Sequence, residues 1–565
     1  MRWLLPVLKA SVEGILGDQY QITTDIPSSK TAWLAIPVFA AAKAIGMSPN
    51  DHATQVATRL QALPNVTIEV EGGFVNVRPT VVGMQTVLEE AAQPDYGQSV
   101  IGEGKTIVVE FSGVNVAKPM GIGHLRSTII GDSLQRLYRT LGYSVIAVNH
   151  LGDWGTQFGN LVAAYQRKYG DLTIRQDLTI HDLLDLYIDF HAKLTDDPEL
   201  KAEGQDMFRK LEANDPAVHA LWQHFVDLSL SQFEAMYRRL GVTFDDVRAG
   251  ESRYIPMVPE LIAEAERSGV AVVSDGALVV PIPDETTPLM LRKSDGSTIY
   301  ATRDLAAIEY RVATYHPDEI LYVVANEQAL HFRQVFAAAH LLGIVSDSTR
   351  LTHVKFGLIR TTEGKMSTRK GTLIALDDLF AEAVRRSEAM IGARDIELSH
   401  EQRAAIAETL AIGAIKYFDL SHDRNHDIVF DWERALSLKG DSAPYLEYSY
   451  VRALNILKKA AETSDVAATT SAEEDLGSIE AVAPLLRCLA QFPLILEQAA
   501  HQYAPHVVAQ YLNQLATHFH AFYEQYPVLK SSGEVRRQRL EIVSAVKHVL
   551  ERGLSMLGIG TVDAM

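Results

Sequence analysis

Residues 106–128 constrain this chain more than any other stretch: Thr-Ile-Val-Val-Glu-Phe-Ser-Gly-Val-Asn-Val-Ala-Lys-Pro-Met-Gly-Ile-Gly-His-Leu-Arg-Ser-Thr. The β-branched run Ile107 to Val109 predicts a buried strand, and Leu125, Ile129, Ile130, Leu134, Leu137 and Leu141 keep helical spacing from Gly123 onward. A strand, a glycine-bearing turn and a helix follow in that order. Free N–H groups at the helix start, with the positive end of the helix dipole, form a site for a phosphate, and glycine lets the ligand approach closely. His124 and Arg126 are expected to stand beside it.

Two common phosphate motifs fail here. Gly121-Ile122-Gly123 is followed by Arg126 where a dinucleotide fingerprint needs its third glycine, and Gly104-Lys105-Thr106 has Ser99 where a P-loop needs its first. The form Ala-Lys-Pro-x-x-x-Gly-His-Leu-Arg-Ser-Thr instead resembles the first signature of class I aminoacyl-tRNA synthetases, in the version that belongs to the arginyl-tRNA synthetases. Glu363-Gly-Lys-Met-Ser-Thr-Arg-Lys-Gly371, about 240 residues later, resembles the second class I signature. Two departures stand out: Gly121 occupies the position of the usual first histidine, and Thr368 that of the second lysine.

A chain of 565 residues exceeds what one core holds, which implies three or more domains. Residues 1–95 read as a small α+β module, with a Ser48-Pro49 helix start, a helix to about Leu63, and a hairpin turning at Glu71-Gly72-Gly73. The opening helix of the 106–128 unit leads to a second strand, Val145 to Val148. That alternation implies a parallel, doubly wound sheet over residues 96–380 with ligands at the carboxyl ends of its strands, where Asp153 and Gln157 are expected. Residues 165–275 are charged, mostly helical and broken at Asp197-Pro198 and Asp215-Pro216; they look like the connective insertion of class I synthetases. Strands are expected to resume at Ala277 to Ile282 and Glu319 to Val324. Residues 381–565 read as all-α from the 3.6-residue period of Ile542, Val543, Val546, Val549, Leu550 and Leu554, with an exposed loop at 463–480. Ser442-Ala-Pro-Tyr-Leu-Glu-Tyr448 and Leu554-Ser-Met-Leu-Gly-Ile559 resemble the DALR-type anticodon-binding domain. The fold class is therefore multidomain α/β: a Rossmann-type parallel-sheet domain with a helical insertion, a small α+β N-terminal domain and an all-α C-terminal domain.

Charge and cysteine usage narrow the function. The balance of 52 basic against 71 acidic residues argues against a general nucleic-acid binder but leaves room for a local basic face. The tail from Lys530 offers six basic residues against four acidic; such residues serve equally a tRNA face or a solvated helix with i,i+4 pairs. The lone Cys488 excludes an internal disulfide and a Cys-rich zinc site, and its apolar surroundings predict a buried thiol. No apolar run reaches membrane-spanning length and no signal peptide is evident, so a cytoplasmic protein is expected.

Adenylate formation has a carboxylate attack the α-phosphorus of ATP in line, so the protein must position reactants and offset phosphate charge. The resemblance implies His124, Lys365 and Arg369 for that work, with Lys118 upstream of the first signature as a further cation. It places Gly121, Gly123, His124, Met366 and Ser367 at ATP. A guanidinium substrate demands carboxylates placed for bidentate hydrogen bonds, and Glu110, Asn115, Tyr300, Asp304 and Gln328 match the family's arginine-pocket positions. The implied activity is ATP-dependent attachment of L-arginine to tRNA(Arg), with ATP and Mg²⁺ and no protein-bound metal, in a monomer that binds neither DNA nor membrane. A catalytically weakened tRNA-binding paralogue and a small-molecule ligase on the same fold are the competing readings. Tyr445, Tyr448 and Tyr450 are candidates to stack on anticodon bases, although near-helical spacing favours a core role.

Overall fold

Four parallel strands position everything else. In the computed structural model, which describes residues 2–24, 26, 32–194, 197–361, 364–365, 376–392, 398–462 and 482–565, strands β1 (Thr106–Glu110), β2 (Ser144–Val148), β3 (Glu319–Tyr322) and β4 (Arg350–His353) pair in the order β4-β3-β1-β2. Glu110 lies in register with Val148 on one side and Tyr322 on the other. Both faces are covered, as an unbroken apolar strand requires. Ile107 and Val109 face one core, and Val108 faces a second with Ile320 and Tyr322. Helix α1 (Ile122–Thr140) connects β1 to β2, while α2 (Tyr300–Tyr315) precedes β3 and α3 (Ala329–Leu341) joins β3 to β4. Gly131 permits the close packing of α1 on β1: a Cβ there would lie 2.2 Å from Phe111.

The first residues form a three-stranded antiparallel sheet, Leu34–Pro37, Phe74–Pro79 and Val66–Glu71 in spatial order, flanked by helices at Leu4–Leu16, Pro49–Leu60 and Val81–Ala91. Ser48 caps the middle helix by accepting the Asp51 N–H, and Gly72 and Gly73 both hold positive φ in the two-residue hairpin turn. The module docks on the C-terminal helices through Tyr96, whose hydroxyl donates to Leu489 O at 2.8 Å.

Between β2 and α2 the chain is mostly helical, at Thr156–Tyr169, Ile180–Leu194, Pro198–Glu212, Pro216–Leu240 and Val258–Arg267. Asp197 and Asp215 do more than break this run. Each caps the next helix through its carboxylate, with proline at the first helical position. The strand expected at Ala277 to Ile282 spans Ala277–Val280 and belongs to a separate antiparallel sheet with Val272–Ser274 and Leu289–Arg292, not to the parallel sheet. An alternating apolar strand reads alike in both settings.

Beyond Leu376 helices dominate, the longest at His400–Leu420, Ala443–Glu462, Pro505–Gln525 and Gly533–Met556, with one short strand, Ile428–Val429, pairing parallel to Ile359–Thr361. Residues 463–480 lie outside the described residues. Cys488 is buried and its thiol is pushed up to about 12 by burial. Among the described residues no helix is long and apolar enough to cross a membrane. In the last helix Arg537 pairs with Glu534 and Glu541 and Lys547 with Glu551, while Arg536, Arg539 and Arg552 donate to the backbone carbonyls of Ala460, Pro527 and Pro94.

Candidate active site

Strand order reverses between β1 and β3, because the chain leaves β1 toward β2 on one side and fills β3 and β4 on the other. Ligands bind at such a switch point, outside the carboxyl ends of the strands. A cavity of about 400 Å³ opens there, lined by Glu110, Asn115, Tyr300, Asp304 and Gln328 together with Gly123. Five side chains drawn from β1, the loop after it, α2 and the short turn before α3 thus meet in one space.

The loop above β1 is held in a costly shape. Ser112 and Ala117 adopt left-handed φ of 73° and 65°, conformations that cost roughly 1–3 kcal/mol each in a non-glycine residue. A buried polar network over-determines them. Thr128 Oγ1 donates to Ser112 Oγ, which meets the Tyr237 hydroxyl at 2.7 Å, and Asn149 Nδ2 donates to the same hydroxyl. Ser127 Oγ ties the switch point together by accepting from Ser112 N and donating to Val323 O at 2.6 Å.

Gly121 starts α1, and His124 stands in its first turn with Nδ1 accepting the Gly121 N–H at 3.2 Å. That bond assigns the ring proton to Nε2, a donor for a phosphate oxygen. Burial lowers the His124 pKa to about 4, with Lys118 adding to the effect, so the imidazole is neutral at physiological pH. Gly123 leaves open space beside it, since a Cβ there would meet nothing within 4 Å. The Lys118 ammonium lies 4.0 Å from the centre of the Tyr187 ring in the inserted helix Ile180–Leu194, and Lys118 does not line the cavity. The Lys365 backbone pairs with Arg360 in a short hairpin that leads into the second signature. Met366, Ser367, Thr368 and Arg369 lie outside the described residues.

Three expectations are corrected. Arg126 does not face the phosphate site: it is 1% exposed, pairs with Asp419 of the C-terminal helices at 3.1 Å, and donates to Gly357 O and His426 O. Its place one turn along α1 from Ile122 turns it to the domain junction. Asp153 is likewise withdrawn from the ligand side; its carboxylate accepts from Ser252 N at 2.8 Å and Ser252 Oγ at 2.6 Å. Gln157 donates back to Trp154 O and does not line the cavity.

Residues that sequence reasoning passed over complete the site. His331 Nε2 lies 2.6 Å from Asp304 Oδ2, and its ring packs 4.9 Å from that of Tyr300. His150, directly beyond β2, lies 3.8 Å from Asp304 Oδ1 and stacks on Tyr254. Glu251, its pKa raised mainly by burial, pairs with Arg303 at 2.6 Å. Buried Arg311 pairs with Glu110. The signals were positional: His150 follows the carboxyl end of a strand, and His331 lies three residues after Gln328.

A family model described as tRNA synthetases class I (R), catalytic domain, matches residues 84–432, and one for the DALR anticodon binding domain matches residues 446–565. A parallel doubly wound sheet bearing this site, joined to a helical domain of that kind, defines a class I aminoacyl-tRNA synthetase. The arginine–tRNA ligase of Chloroflexus aggregans is 40% identical over 97% of this chain and 96% of its own length, and that of Clostridium perfringens is 38% identical over 95% of each. The Thermus thermophilus arginyl-tRNA synthetase shares the fold with a TM-score of 0.81 at 24% identity, covering 99% of both chains, and the Plasmodium falciparum enzyme does so with 0.79 at 23%, covering 99% of this chain and 98% of its own. The chain belongs to the arginyl-tRNA synthetase family.

Proposed function

We infer that this enzyme attaches L-arginine to tRNA(Arg) with ATP, by way of an arginyl-adenylate. The observation that carries the reading is the convergence of Glu110, Asp304, Asn115, Tyr300 and Gln328 on one cavity beside the start of α1. Glu110 and Asp304 supply acceptors for a guanidinium. Tyr300 and Gln328 border its stem and α-amino group, and Asn115, opposite Gly152 in a parallel bridge, orients its carboxylate side. ATP lies over Gly121 and Gly123, with the neutral His124 Nε2–H directed at the triphosphate. Lys365 and Arg369 act from the second signature loop with Met366 and Ser367, and Lys118 contributes from the opposite wall. The ammonium of Lys118 is held over an aromatic ring by a contact of roughly 0.5–1 kcal/mol, small enough to exchange for a phosphate.

Mg²⁺ carried on the triphosphate of ATP would offset phosphate charge there. In this reading residues 1–95 touch the tRNA, residues 96–380 carry chemistry with an insertion at about 165–275, and residues 381–565 read the anticodon. The enzyme works as a cytoplasmic monomer. Tyr450 is buried, while Tyr448 packs parallel to His520 under Arg452, which favours packing over base stacking for both. Charging of tRNA(Arg) with labelled arginine tests the function: acid-precipitable label that depends on ATP supports it, and none with active-site-titrated protein contradicts it.

A further inference from the structure

Three carboxylates line the cavity, Glu110, Asp304 and Glu251, and none stands free. Arg311, 1% exposed behind the cavity wall, forms an ion pair with Glu110 through one terminal nitrogen. Its other terminal nitrogen lies 3.2 Å from His150 Nδ1. A guanidinium only donates, so His150 Nδ1 must accept, and the ring proton is on Nε2. That Nε2 is the atom 3.8 Å from Asp304 Oδ1. The rings of Tyr254 and Tyr322 flank Arg311, and Tyr254 also stacks on His150 with planes 14° apart.

We propose that Arg311 is the positioning residue of the arginine pocket, fixing Glu110 directly and Asp304 through His150. The proposal rests on the arginine-binding reading of this cavity. One buried fork thereby reaches two of the three carboxylates that line the cavity. Glu110 is turned so that Oε2 is spent on Arg311 and the other oxygen is available to the ligand. His150 turns its Nε2–H toward Asp304 Oδ1 at 3.8 Å, an electrostatic contact longer than a hydrogen bond, while His331 bonds the other oxygen at 2.6 Å. Arg311 then offsets the charge of Glu110 and Arg303 that of Glu251, which leaves Asp304, bonded to His331, as the lining carboxylate with no guanidinium partner among the described residues. Lysine cannot replace this arrangement, because one ammonium lacks the planar fork that spans both partners.

The test compares arginine KM, ATP KM and kcat in tRNA charging for the full-length enzyme and its Arg311→Lys, His150→Leu and His150→Gln variants, each with its thermal midpoint. Arg311→Lys and His150→Leu are expected to raise arginine KM by about tenfold, the loss of one hydrogen bond to a charged group, while ATP KM stays within about twofold. His150→Gln restores an N–H donor and should recover arginine KM to within about threefold of the parent. The His150 variants carry the test if Arg311→Lys does not fold, since His150 borders the cavity. An unchanged arginine KM in a folded Arg311→Lys or in His150→Leu, an equal rise in ATP KM, or a His150→Gln enzyme as poor as His150→Leu overturns the proposal. A parent enzyme that does not charge arginine overturns the underlying reading instead.

Discussion

In the proposed pocket Asp304 is the residue on which discrimination for a cation turns, because Glu110 and Glu251 are already paired with Arg311 and Arg303. Asp304→Asn keeps the shape and removes the charge, so arginine KM should rise by roughly 10- to 150-fold, equivalent to about 1.5–3 kcal/mol for a charged hydrogen bond, with ATP KM little changed. Steady-state kinetics with each substrate varied checks it; equal shifts would move Asp304 out of the arginine pocket. His124 makes a prediction about pH. Its lowered pKa of about 4 keeps the ring neutral above about pH 5, and protonation on acidification would remove no role until pH approaches 4. The kcat profile between pH 5.5 and 8 should therefore have the same shape in the parent and in His124→Asn, with kcat reduced roughly 10²-fold throughout, as for loss of one oxyanion donor. An inflection abolished by the substitution would show that His124 titrates in that range. Arg126 shows where residue-level reading fails. Three positions within the first turns of one helix, His124, Arg126 and Ser127, meet the helix start at Gly121, the domain junction at Asp419, and the strand end at Val323 beside the cavity respectively, and sequence alone does not say which face meets which neighbour.

Helix α1 is the element that joins chemistry to the rest of the molecule. Its first turn carries His124, while Arg126, Ser133 and Arg136 are bonded to Asp419, Met556 O and Ser555 O of the C-terminal helices. Removing one partner of the buried Arg126 pair leaves an uncompensated charge, so Asp419→Ala should cost about 3–5 kcal/mol, measured by denaturant unfolding. A loss under 1 kcal/mol would deny the pair its structural role. The C-terminal segment is pinned by Glu447, which accepts from Val562 N and whose pKa burial raises to about 8. A carboxyl raised in the fold binds a proton that the unfolded chain has released, so its contribution to stability is lost as pH rises from about 4.5 through about 8. Glu447→Gln keeps the acceptor without the charge; its thermal midpoint should gain on the parent as pH is raised from 5 to 8, and a constant difference would contradict the assignment. Helix α1 and strands β1, β2 and β3 were legible from their 3.6-residue and apolar patterns, whereas the edge strand β4, Arg350–His353, is polar at three of its four positions and was not expected. The antiparallel setting of Ala277–Val280 was not, since strand partners lie far apart in sequence. The capping role of Asp197 and Asp215 was available in the Asp-Pro pairs and needed only the local rule for helix starts.

At the scale of the whole molecule, two short signatures identified the parallel-sheet enzyme, because residues 106–128 fold as one continuous unit, and resemblance to the family nominated five residues that the fold brings to one cavity. The sequence did not identify Arg311, His150, His331 or Glu251, which reach the cavity from separate segments and acquire meaning only when the sheet brings them together. The central claim is that one cavity at the β1/β3 switch point holds arginine by its guanidinium and presents its carboxylate to ATP. Its most direct measurement is ATP-dependent charging of tRNA(Arg) by the parent and Asp304→Asn enzymes, with arginine and its uncharged urea isostere citrulline as competitors. The account predicts that the parent charges labelled arginine and ignores a large excess of citrulline, while Asp304→Asn loses most of its preference for arginine. Undiminished preference in Asp304→Asn, with arginine KM unchanged, would contradict it.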